Sequence, residues 1–95
     1  MTTKSNTTFE KVLEAIINEQ KEVIGPIALQ QAGTIEGIKV DGQSVVIVGK
    51  DPKKVLENLV KSYAELFGRA SIELSKEAVH EVPGVSDDSL PEVLR

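Results

Sequence analysis

The sequence predicts an α+β fold, mainly helical, with a helix–glycine–helix unit on each side of a β-hairpin, the last segment being helix or strand. Three observations lead there. Sliding the chain on itself, Lys11-Val12-Leu13-Glu14 returns 43 residues on as Lys54-Val55-Leu56-Glu57. The register holds without gaps to Gly25 and Gly68, and six of fifteen positions are identical. Between the copies, Ile38-Lys39-Val40 runs through Asp41-Gly42 into Val45-Val46-Ile47-Val48, the pattern of two short strands and a tight turn. Two amphipathic helices of equal period align whenever their apolar residues are superposed. The shared tetrapeptide and the shared terminal glycine are not required by amphipathicity, so an internal duplication is the better expectation.

Each element follows from local signals. Residues 1–8 are polar and are expected to be disordered. Thr7 with Glu10 three residues later reads as a capping box, followed by Phe9, Val12, Leu13, Ile16, Ile17, Val23 and Ile24 on one broad helical stripe. Gly25 ends that helix and Pro26 can open a second, through about Ala32, because its fixed φ suits a first turn. Repeat 1 thus covers about 9–33 and the hairpin about 35–48. Asp-Gly favours a type I′ turn centred on Asp41 and Gly42. Two strands alone are marginal in water, so the hairpin must lie on the helices or pair with another chain's edge.

Repeat 2 spans about 51–82. Asp51 is a natural N-cap with Pro52 behind it, and Leu56, Leu59, Val60, Tyr63, Leu66 and Phe67 repeat the stripe. Past Gly68, Ala70, Ile72 and Leu74 alternate like a strand, whereas Leu74, Ala78 and Val82 suit a helix. The alignment favours helix, since Pro26 starts one in the first copy. Pro83-Gly84 closes the single domain, 9–82, and residues 83–95 are expected to form a flexible tail, or a short segment that folds on a partner.

Composition narrows the function. The chain has 95 residues, enough for one domain. Its 40% apolar and 27% charged residues are a globular balance. Phe9, Phe67 and Tyr63 are the only aromatics, and 11 basic against 15 acidic residues leave a net charge of −4. A field of that sign repels nucleic acid and anionic lipid, and platforms for stacking bases are nearly missing. The reading is therefore no nucleic acid and no membrane partner. The absence of cysteine excludes disulfides, thiolate metal sites and cysteine nucleophiles, which fits a cytoplasmic location. No stretch has the length or apolar run of a membrane span or a signal h-region.

Local chemistry is sparse. His80 is the only histidine. With Glu77 it makes an acid/base pair at most, and a solvent-facing histidine near a helix C-terminus explains it. Gly49-Lys50-Asp51-Pro52-Lys53-Lys54 sets glycine and lysines at a helix start, yet lacks P-loop spacing, and Pro52 removes an N–H that a phosphate would use. Ser71 and Ser75 carry no nucleophile-elbow pattern. No catalytic residue, metal site or cofactor is expected. Gly25 and Gly68 stand out as left-handed helix caps, or as points where a ligand or helix approaches the backbone closely.

The run Tyr63-Ala64-Glu65-Leu66-Phe67-Gly68-Arg69-Ala70-Ser71-Ile72-Glu73, with the Gly49-x-Asp-Pro start before it, resembles a group of small uncharacterised archaeal proteins over about Val40 to Val82. Ile24-Gly25-Pro26-Ile27-Ala28 resembles a phrase in bacterial signalling-protein tails. These resemblances imply a regulatory or scaffolding module and carry over no functional residue.

The sequence thus points to a non-enzymatic interaction or oligomerisation module, a homodimer or the partner of another protein. Gly25, Gly68, Tyr63, Phe67, Asp41 and Gly42 are the structural or interface candidates. The alternative is a small-ligand sensor with an apolar pocket between the repeats.

Overall fold

The computed structural model describes residues 7–42, 44–48, 50–85, 88 and 90–95, the side chains of Thr7 and Ser44 excepted. Among them are four α-helices and one hairpin, in the order α1 (Thr7–Ile24), α2 (Ile27–Ala32), β1 (Ile38–Asp41), β2 (Ser44–Ile47), α3 (Pro52–Phe67) and α4 (Ala70–His80). A 3-10 turn, Glu92–Leu94, follows. The mainly helical α+β class is as the sequence predicts, and the segment after Gly68 is helix.

Leucine and β-branched residues at helical spacing bury one face of α1 and of α3. Val12, Leu13, Ile16 and Ile17 from α1 meet Val55, Leu56, Leu59 and Val60 from α3 in one core. Each buried residue of one set lies 43 positions from one of the other. The two glycine elbows share one hydrogen-bond pattern. Gly25 N–H donates to Lys21 O and Gly68 N–H to Ala64 O, both at 2.9 Å. One residue triplet later, Ala28 N–H reaches Gly25 O at 3.0 Å and Ser71 N–H reaches Gly68 O at 3.1 Å. α1 packs on α2 and α4, and α3 packs on α4.

The hairpin rests on α1 and α2 of its own chain. Ile38, Val45 and Ile47 point inward and are buried, while Lys39, Val46 and Val48 face out. Its outer edge is not bare: Glu10 Oε2 accepts the Ile47 N–H at 3.2 Å. An edge N–H already bonded to a carboxylate offers less to a foreign strand. This corrects the capping-box reading of Thr7 and Glu10. Thr7 is itself the first residue of α1, with its side chain outside the described residues, and Glu10 reaches across to β2.

Two other expectations change. The turn is shifted by one residue, because Asp41 pairs with Ser44, and Gly42, at φ +65°, has the positive φ of a primed turn. Asp41 therefore closes the strand, and Gln43 lies outside the described residues. At the C-terminus, Leu90 and Leu94 are buried in the core and the 3-10 turn packs on α3 and α4. The end of the expected flexible tail is held by apolar burial, which the short Leu90, Val93, Leu94 group makes possible.

Candidate functional site

The C-terminal ends of α1 and α3 meet the N-terminal end of α4. There Gln20, Val23, Ile24, Phe67, Ala70, Ser71 and Leu74 line a groove of about 350 Å³. Its apolar walls are the continuation of the core stripes. Val23 lies seven residues, two helical turns, beyond Ile16 and so faces the same way. Ile16 is fully buried, but Val23 is 65% exposed. Leu66 stands in the same relation to Leu59 and is 55% exposed. Both were expected on the buried stripe. Ile27 at 45% and Phe67 at 37% extend the apolar surface at this end.

The floor of the groove is polar. Gln20, only 1% exposed, donates from Nε2 to Ser71 O at 2.9 Å and to Ser75 Oγ at 3.1 Å. Ser75 Oγ spends its own proton on Ser71 O at 2.8 Å, and Ser71 Oγ donates to Gly68 O at 2.8 Å. In the other half Tyr63 occupies the place of Gln20. It is fully buried, and its Oη donates to Ala28 O at 2.6 Å. Burial pushes its phenol well above the ordinary tyrosine range, because phenolate loses hydration there.

The predicted site residues divide into two groups. Gly25 and Gly68 flank the groove at the helix elbows, with φ of +80° and +91°. Gly68 has ψ 178°, so it is not a left-handed cap but sits in the region open essentially to glycine alone. Phe67 lines the groove, and Tyr63 is buried in the core. Asp41 and Gly42 are exposed at the hairpin tip and do not line it. Gln20 was missed, although a lone amide on an otherwise apolar helical face, aligned with Tyr63, was a signal.

His80 and the lysines at the start of α3 lie outside the groove. His80 is exposed at the end of α4. Among the described residues no group of three or more His, Cys, Asp or Glu side chains could hold a metal ion. At the start of α3, Asp51 Oδ1 accepts the Lys54 N–H at 3.2 Å, so a carboxylate of the chain itself holds the position an anion would need. Glu57 bridges Lys61 at 3.2 Å and Lys54 at 3.5 Å. The Lys61 ammonium, by hydrogen bond and charge, holds this carboxyl below its ordinary value, with Lys54 adding to it. Gly49 lies outside the described residues. No helix among the described residues is long and apolar enough to cross a membrane.

No protein family, no curated protein and no solved structure matches the chain.

Proposed function

We propose that the chain is a non-enzymatic oligomerisation module that pairs with a second copy through the apolar end of the helices. The observation that carries this is the exposure of Val23 and Leu66, the continuation of both core stripes, together with Ile27 and Phe67, of which Val23 and Phe67 line one groove. Large apolar side chains exposed together at one end of a small domain mark an interaction site. A second copy suits this end for two reasons. The same surface on two subunits can close a two-fold dimer. Residues of both signs, Lys21 and Arg69 against Glu22 and Glu65, adjoin the groove residues in sequence, so one copy can complement the other. The equivalent elbows and the 43-residue register support an origin by internal duplication. Sedimentation tests the reading. The chain should sediment as a dimer, and Val23→Glu with Leu66→Glu as a monomer of unchanged helix content. A wild-type monomer at every concentration overturns it.

A second reading, a small-ligand sensor, is favoured by the groove itself. A concavity of about 350 Å³ with apolar walls and two polar lining residues, Gln20 and Ser71, falls in the range used for small molecules.

A further inference from the structure

The hydrogen-bond network around Gln20 leaves one group unanswered. Ser71 O is a pure acceptor, so the amide nitrogen of Gln20 must face it. Ser75 Oγ gives its proton to the same carbonyl and can only accept from Gln20. These two contacts fix the orientation of the amide. Among the described residues nothing donates to its other end, Oε1, although the side chain is 1% exposed and lines the groove. Buried acceptors in native proteins are nearly always paired. At the equivalent position of the other half, Tyr63 has its single proton committed to Ala28 O. Tyr63 does not line the groove, whereas Gln20 does, and its amide oxygen is the unanswered acceptor there.

We propose that this groove binds a small amphiphile whose head group donates a hydrogen bond to Gln20 Oε1 while its apolar chain lies against Ile24, Phe67 and Leu74. This rests on the ligand-sensor reading of the groove. The ligand class is an alcohol or a primary or secondary amide on a short alkyl chain. An acceptor-only head finds no donor at Oε1, and a carboxylate meets an oxygen there.

The test titrates the isotope-labelled full chain with octanol and with methyl octyl ether, which differ in the hydroxyl proton. Octanol should shift the resonances of Gln20, Phe67 and Leu74 and bind about tenfold tighter than the ether, the effect of one hydrogen bond to a buried group. Gln20→Met should bring that ratio close to one. Leu74→Trp, which fills the groove from a half-buried position, should abolish the shifts from both probes. Equal affinities in the wild type overturn the donor assignment and leave the groove a ligand site. No shift from either probe overturns the ligand reading as well. Both outcomes are read on the wild-type chain, whatever the variants do to folding.

Discussion

Gln20 and Tyr63 hold equivalent places in the two halves and cross in opposite directions. The amide of Gln20 in α1 bonds the Ser71 carbonyl of α4, and the phenol of Tyr63 in α3 bonds the Ala28 carbonyl of α2. Ser71 and Ala28 are themselves 43 residues apart. Each half therefore anchors the second helix of the other with one buried polar side chain.

The Tyr63 anchor makes stability depend on alkaline pH. Its phenol titrates higher in the folded chain than in the unfolded one, so the unfolded state loses its proton first. Stability from this group is complete below the unfolded value of about 10 and falls as pH rises above it, by about 1.4 kcal/mol per unit, toward the raised folded value. The difference in urea midpoint between wild type and Tyr63→Phe should vanish within about one unit above the unfolded value and then reverse in sign. A constant difference would mean that the phenol is not buried as described. Near neutrality Tyr63→Phe should cost about 1 kcal/mol for the lost hydrogen bond.

Gly68→Ala should destabilise by about 1–3 kcal/mol, read as a lower urea midpoint at unchanged slope. The cause is conformational, since a Cβ built there meets nothing within 4 Å. Gly68→Val should be at least as costly. An unchanged midpoint would deny the elbow its positive φ.

Leu94→Ala tests the packed C-terminus. Truncating a leucine with 2% exposure should cost about 2–5 kcal/mol, as at any tightly packed core site. Glu92→Ala, on the exposed side of the same turn, should leave the melting temperature unchanged. Equal effects from the two would place the terminus outside the core.

Glu10→Ala should free the β2 edge. The Ile47 amide loses its carboxylate partner and should exchange with solvent faster, while the Val48 amide, bonded to Gly37 O at 2.8 Å, keeps its protection. Parallel changes at both positions would show that the whole hairpin loosens rather than its edge.

By itself the sequence determined α1, α2, α3, the glycine elbows and the strands, because these depend on contacts within a few residues, and it left the segment after Gly68 open between helix and strand. Stripe period, the Asp51-Pro52 start and the Asp-Gly region act locally and were legible. The turn slipped by one residue because strand register follows which valines and isoleucines face α1, and that is a long-range choice. Only the tertiary structure decided which stripe residues are covered. Period gives the direction of Val23 and Leu66, but their exposure depends on where α2 and α4 begin to pack. It also decided that Leu90 and Leu94 return to the core and that Gln20 lies on the floor of a groove. Such contacts join residues 51 and 55 positions apart, as between Gln20 and the two serines, and no local pattern encodes them.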